Sequence, residues 1–307
     1  MDTLELRSGS NAQRHGELAG AWLASLLSDH TVRAYRRDLM ELFDFLDLGG
    51  VDVLMAGRKH LDAWRRSMTG STTTVARKLS AASSFYRYAM EVDAIEYNPI
   101  TRVRRPKIDP DFTKTQGLTR RQAEDFLAAA AADGPRSDAL SNVLLLTGIR
   151  VGEALRTDTD DLRFESGHRV LAITRKGGWA GRVVLPPLAV DALAQYLGKG
   201  TAEGTELART SADTSHPIFT TSTGRRWQQS EAYRTIRRIA ANAGIPGIIS
   251  PHSLRHTHAT LALEAGVSLA DLQDSLGQAD PRTTRRYDRA RGRLERSSAH
   301  AVSNLFT

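Results

Sequence analysis

The chain has 307 residues with 40% hydrophobic and 25% charged content, enough for two domains that each bury a core, which excludes an intrinsically disordered protein. Its formal net charge is +7 and Arg far outnumbers Lys, so the expected partner is a polyanion contacted through planar, bidentate guanidinium groups. Cysteine is absent, which excludes disulfides, thiolate zinc sites and cysteine nucleophiles and suits a reducing cytoplasm.

From residue 17 to about residue 100 the apolar residues recur at helical spacing. Within 31–46, Val32, Tyr35, Leu39, Leu42, Phe43 and Leu46 form one stripe while Arg33, Arg36 and Arg37 lie elsewhere. Ser71 and the threonines after it offer an N-cap cluster, followed by Val75, Leu79, Ala82, Phe85, Tyr86 and Ala89 at intervals of three or four. The pattern predicts about four helices packed as a bundle that ends at Asn98-Pro99. The apolar run over 21–27 is broken by Ser25 and far too short to span a bilayer, so the chain is expected to be neither exported nor membrane-embedded. Residues 101–115 carry Arg102, Arg104, Arg105 and Lys107 between prolines and lack periodicity. They read as an extended linker whose charges suit a phosphate backbone, or as an ordinary solvated strap.

A second domain is expected over 116–307. Thr119 followed by Gln122 resembles a capping box, and 140–147 reads as a buried helix. Between Leu162 and Pro186 the period changes to two, and 169–174 with 181–185 predict a β-hairpin around the tip Arg175-Lys176-Gly177-Gly178. Helices resume from Ala189, broken by a Gly/Thr/Ser-rich loop over 198–215. Arg225 and Arg226 open an Arg-rich stretch that adds candidate phosphate contacts.

Several side chains in this domain carry chemistry. Arg150 sits in a glycine-punctuated turn, Thr147-Gly148-Ile149-Arg150, that is able to aim a guanidinium inward; a surface arginine paired with Glu153 is the plainer alternative. Ser250 and Pro251 start a helix on which His252 and Arg255 share a face. His256 belongs as readily to a packing role beside Leu254, with Leu261, Leu263 and Val267 completing that face. His252 and His256 have the i,i+4 spacing of zinc ligands, yet no third ligand accompanies them and no metal site is expected. Tyr287 lies in an Arg-rich helix start, Asp280-Pro281-Arg282-Thr283-Thr284-Arg285-Arg286-Tyr287. A tyrosine so placed is either a packed ring or a nucleophile, whose phenol, with a reference pKa of about 10, ionises more easily among fixed cations. Tyr233 and Tyr196 are the other candidates for that role. Two arginines, a lysine, histidines and a phenol are the parts needed to attack a phosphodiester and stabilise its transition state.

These motifs resemble the tyrosine recombinases, also called the phage integrase family. Thr147 to Ala154 resembles the segment of that family's first arginine, Lys176 its hairpin-tip lysine, His252 to Thr257 its histidine–arginine box, and Thr283 to Tyr287 its nucleophile segment. The resemblance implies a mainly α fold with a small β-sheet: an N-terminal SAM-like helical bundle over 17–100, a basic linker over 101–115 and a mixed α/β catalytic domain over 116–307. It implies a catalytic set of Arg150, Lys176, His252, Arg255, Gln278 and Tyr287, with no cofactor and no ATP. The implied partners are double-stranded DNA, further copies of the chain in a tetramer on paired sites, and an accessory directionality protein. One departure is Gln278 after Leu276-Gly277, where the family usually has His or Trp; an amide still donates to a phosphate oxygen but carries no charge. A type IB topoisomerase-like enzyme and a catalytically weakened DNA-binding regulator are the alternative readings.

Overall fold

The computed structural model describes the backbone of residues 3–107, 117–175, 178–198 and 215–277, with side chains from residue 13 onward. The chain divides into two compact units, Met1–Asp109 and Pro110–Thr307.

The first unit holds helices Thr3–Ala24 (α1), Asp29–Leu48 (α2), Arg58–Ser67 (α3) and Thr72–Glu91 (α4). Ser71 caps α4 by accepting the Thr74 N–H at 3.2 Å, which satisfies one of the donors a helix start leaves open. The apolar stripe of α2 buries Leu39, Leu42 and Leu46 with Leu79, Phe85, Tyr86 and Ala89 of α4. Trp22 of α1 closes the core, stacked on Tyr35 at 6.0 Å between centroids and edge-on to Phe85 at 5.6 Å. The polar tips of this aromatic cluster find partners inside it: Trp22 Nε1 donates to Ser84 Oγ at 3.2 Å and Tyr86 Oη to the Val53 carbonyl at 3.0 Å. Burial, reinforced by the Asp52 charge, pushes the Tyr86 phenol far above its usual range. Ion pairs Asp38–Arg77 and Glu41–Lys78 join α2 to α4.

The basic stretch expected to be extended from residue 101 is at first packed on this bundle. Ile100 and Val103 are buried in its core and Arg105 donates to Ser80 Oγ at 3.0 Å. Val103 is apolar between basic residues, and burying it holds the turn against the helices while Arg102 and Arg104 stay in water.

The second unit is built on Pro135–Thr147 (α6), which follows Arg120–Asp133 (α5) after a single break at Gly134. Thr119 and Gln122 form the capping box of α5, with N–H···O distances of 3.2 and 3.0 Å. α6 is buried nearly all round: Ala139, Leu140, Val143 and Leu144 are fully enclosed, and Ser137, Ser141, Asn142 and Thr147 are buried with them. It packs against α5, Pro187–Tyr196 (α8) and Pro251–Glu264 (α10). A short helix, Val151–Ala154 (α7), leads to an antiparallel meander of Leu162–Glu165 (β1), His168–Thr174 (β2) and Ala180–Val184 (β3). In register, Leu162, Leu171 and Val183 face one another on the buried side. The alternation points to β2 and β3; β1 adds a third strand beyond the expected hairpin. Gln229–Asn242 (α9) and Leu269–Leu276 (α11) complete the unit. Residues 199–214, most of the expected Gly/Thr/Ser-rich loop, lie outside the described residues.

α10 and α11 enclose a small cluster of Ala259, Leu263, Leu272 and Leu276. Val267, expected in that packing, is instead 40% exposed. Helix α10 ends at Glu264 and Gly266 turns the chain at φ +93°, so Val267 leaves the helical stripe before it can join it. Because α6 is the hub of this core, Leu144→Ala is expected to cost about 2–5 kcal/mol of stability, whereas exposed Met40→Ala stays within about 0.5 kcal/mol. Urea denaturation followed by circular dichroism checks both; an unshifted Leu144→Ala midpoint contradicts the hub.

Candidate active site

Helix α6 ends at Gly148, left-handed at φ +66°, whose N–H returns to the Leu144 carbonyl at 3.0 Å. A Cβ at Gly148 would lie 2.5 Å from the His258 ring and 2.7 Å from Leu276 Cδ2, so the close approach as well as the φ requires glycine. Two residues on, Arg150 opens α7. The Glu153 carboxylate, buried to 3% exposure, accepts the Arg150 backbone N–H at 2.9 Å and its Nη1 at 2.7 Å. One carboxylate thus caps the helix and orients the guanidinium. The surface pairing weighed from the sequence is present, and Arg150 still keeps 43% of its side chain exposed.

Helix α10 starts at the Ser250 cap, with the Ser253 N–H donating to Ser250 Oγ at 3.3 Å, and Pro251 at its first position. His252 is the exposed residue of the first turn, between buried Pro251 and Ser253. Arg255, one turn further, is buried to 3% exposure. Its Nη1 donates to the Gly148 carbonyl at 2.6 Å and its Nη2 to the Leu276 carbonyl at 3.0 Å. A single side chain therefore joins the end of α6, the start of the Arg150 turn and the end of α11.

Three imidazoles on α10 stay below the ordinary histidine range. Loss of water holds His252 down, and the Arg255 and Arg150 charges add to it. Burial lowers His258, outweighing its Nδ1 contact with the Leu145 carbonyl at 3.1 Å. Burial also lowers His256, helped by neighbouring His252. His256 packs against Gly117, where a Cβ would meet its Nδ1 at 2.8 Å, and Thr257 Oγ1 accepts the Leu118 N–H at 2.8 Å. These two residues anchor the start of the unit, the packing role the sequence allowed for His256.

Arg150, His252 and Arg255 thus come together; Lys176, Gln278 and Tyr287 lie outside the described residues. Of the other tyrosines, Tyr196 is committed to structure: its Oη accepts the Thr220 N–H at 3.1 Å and its ring stacks on Phe219 at 5.9 Å. Tyr233 lies on α9, 40% exposed. Arg102, Arg104, Lys107 and Arg225 are exposed. Arg226 is a tether, donating to the Leu155 and Thr157 carbonyls at 2.9 and 3.2 Å and pairing with Asp158. The sequence pointed to Gly148 as a turn residue and to Glu153 as a partner of Arg150, but not to the close approach of His258 and Leu276 at the one or to the double use of the other. Two guanidiniums held by one carboxylate and two carbonyls, beside a neutral imidazole, suit the non-bridging oxygens of a phosphodiester. Among the described residues no helix is long and apolar enough to cross a membrane.

A model of the phage integrase family matches residues 116–292, and a model of the phage integrase N-terminal SAM-like domain matches residues 19–92. Tyrosine recombinase XerC of Mycobacterium tuberculosis is 32% identical over 271 residues, covering 85% of this chain and 88% of that protein. Tyrosine recombinase XerD of Pseudomonas aeruginosa is 32% identical over 286 residues, covering 91% and 93%. Among solved structures, a lambda integrase tetramer bound to a Holliday junction has a TM-score of 0.71 at 17% identity, covering 93% of this chain and 78% of that one. XerH site-specific recombinase bound to difH substrate has a TM-score of 0.68 at 21% identity, covering 90% and 79%; both show a shared fold. With the catalytic-domain model matching more than half of its length, the chain belongs to the phage integrase family and is a tyrosine recombinase.

Proposed function

We propose that the chain cuts and rejoins duplex DNA at specific sites through a 3′-phosphotyrosine on Tyr287. The observation that carries this reading is the fixed pair Arg150 and Arg255, linked through Gly148. Attack of the Tyr287 oxygen on phosphorus builds negative charge on the non-bridging oxygens, and each preorganised donor at that charge is worth about 3–4 kcal/mol. His252, held neutral by its surroundings, takes or positions the phenol proton. As the P–O5′ bond breaks, Lys176 supplies a proton to the leaving 5′ oxygen. The phosphotyrosine retains the energy of the broken bond, so a second 5′ hydroxyl reverses the step without ATP. Gln278 donates a neutral hydrogen bond to the same phosphate.

Exposed Arg102, Arg104, Arg105, Lys107 and Arg225 contact the DNA backbone, and Arg226 holds the turn that presents Arg225. Strand exchange between two duplexes needs four copies, and the lambda integrase tetramer on a Holliday junction supports this assembly. An accessory protein sets direction, and the reaction takes place in the cytoplasm.

Tyr287→Phe is expected to bind DNA as the parent does and to form no covalent adduct on a nicked suicide duplex, read by denaturing electrophoresis; a persisting adduct moves the nucleophile elsewhere. With six to ten phosphate contacts, affinity should fall about 10³–10⁵-fold between 50 and 200 mM salt, and a flat series in fluorescence anisotropy contradicts the basic contacts. Stability should also respond to pH. The unfolded chain takes up protons at its histidines near the reference value of 6.5, while the depressed folded values of His252, His256 and His258 keep them off. Stability is therefore full above pH 6.5 and declines as pH falls from there toward the folded values. Urea midpoints at pH 7.5 and 5.5 check this, with His258→Asn expected to weaken the difference and equal midpoints in the parent contradicting it.

A further inference from the structure

Arg175 is the residue at which β2 turns toward β3: its N–H donates to the Trp179 carbonyl at 2.8 Å, and its own carbonyl accepts the Gly178 N–H at 3.1 Å. Its side chain does not follow the hairpin. It crosses β3 at Gly181, where a Cβ would lie 3.1 and 3.2 Å from Arg175 Cδ and Cγ, and reaches Gly277 at the end of α11, where a Cβ would fall inside the guanidinium. Two glycines from separate elements thus form a slot for one side chain. At its end Arg175 Nη2 donates to the Ser275 carbonyl at 3.4 Å.

The carbonyls that α11 leaves open are then met one by one. Asp274 accepts the Gly277 N–H, Ser275 accepts from Arg175, and Leu276 accepts from Arg255. Two cations sit at the negative end of one helix. The two sides of the contact are not equal. Without Arg175 the end of α11 keeps Arg255, its left-handed Gly277 cap and the buried Leu272 and Leu276. On the hairpin side the neighbouring ties are the strand ladder and Arg156 Nη2 to the Thr174 carbonyl at 3.4 Å, neither of which reaches α11.

We propose that Arg175 is a positioning residue for strand cleavage: it staples the root of the β2–β3 hairpin to the end of α11 and so sets where the next residue in the chain, Lys176, delivers its proton. This rests on the reaction proposed above. The defect on removing it is one of proton supply to the 5′ oxygen, not of tyrosine attack or DNA binding.

The test compares full-length parent, Arg175→Ala, Arg175→Lys and Lys176→Ala on a nicked suicide duplex built from a site recovered by covalent trapping on genomic DNA. One duplex has the normal 5′ bridging oxygen and one a 5′ bridging sulfur, whose thiolate, of ordinary pKa about 8.5, leaves without a proton. Arg175→Ala should cleave the oxygen duplex at least about tenfold more slowly and the sulfur duplex within about threefold of the parent, with DNA affinity unchanged. Arg175→Lys, which keeps the charge but not the planar group that fills the slot, should fall between. Adding Arg175→Ala to Lys176→Ala should cost nothing further. Parent-like cleavage of the oxygen duplex, or equal slowing on both duplexes, overturns the proposal; if Arg175→Ala does not fold, Arg175→Lys carries the comparison. Hydrogen exchange of the DNA-free protein separates this from the reaction itself: faster exchange over 178–184 in Arg175→Ala, with 273–277 little changed, is expected, and unchanged exchange removes the staple. A parent that traps no DNA overturns the reaction and leaves exchange to judge the contact.

Discussion

A buried guanidinium is tolerated only where its donors are met, because leaving such a charge without partners costs several kcal/mol. In this chain Arg255 is that charge, and the carbonyls of Gly148 and Leu276 are among its partners. Each belongs to a different segment, so the guanidinium fixes the end of α6, the turn of Arg150 and the end of α11 relative to one another.

That arrangement needs a rigid base, which α6 supplies. A helix buried on nearly every side has its place set by the elements around it, and here α5, α8 and α10 cover it. Its last residues stand at the edge of the core, where Gly148 lets His258 and Leu276 approach more closely than a side chain would allow. The site therefore inherits its precision from packing: Arg255 is held by backbone carbonyls of the core's edge and Arg150 by the buried Glu153 carboxylate.

Electrostatics then sorts the groups around the site. Glu153 offsets part of the Arg150 charge and fixes its direction. Loss of water, with the two arginine charges adding to it, holds His252 below the ordinary histidine range and so favours the neutral form, which can accept a proton. In the N-terminal unit the basic residues serve two ends: Arg77 and Lys78 tie α4 to α2 through Asp38 and Glu41, while Arg102, Arg104 and Lys107 stay in water. Long-range attraction for a polyanion belongs to the second group.

The order of the helices, the period-two region and the motif residues follow from the sequence by itself, since burying an apolar face dictates spacing and caps follow from local hydrogen bonding. Ser71, Thr119 and Ser250 cap the helices their side chains suit. Strand β1 is four residues long and pairs with β2 across the two-residue turn Ser166-Gly167, both at positive φ, a short-range signal present in the sequence that the expected hairpin left out. Val267 illustrates the opposite failure, for an extrapolated stripe does not register the turn at Gly266. Only the tertiary structure decided that Arg226 is a tether, that Arg255 is buried against two carbonyls and that Arg175 reaches across Gly181 to Gly277. Each of those contacts joins residues far apart in the chain, and the space that admits them exists only after the core has formed.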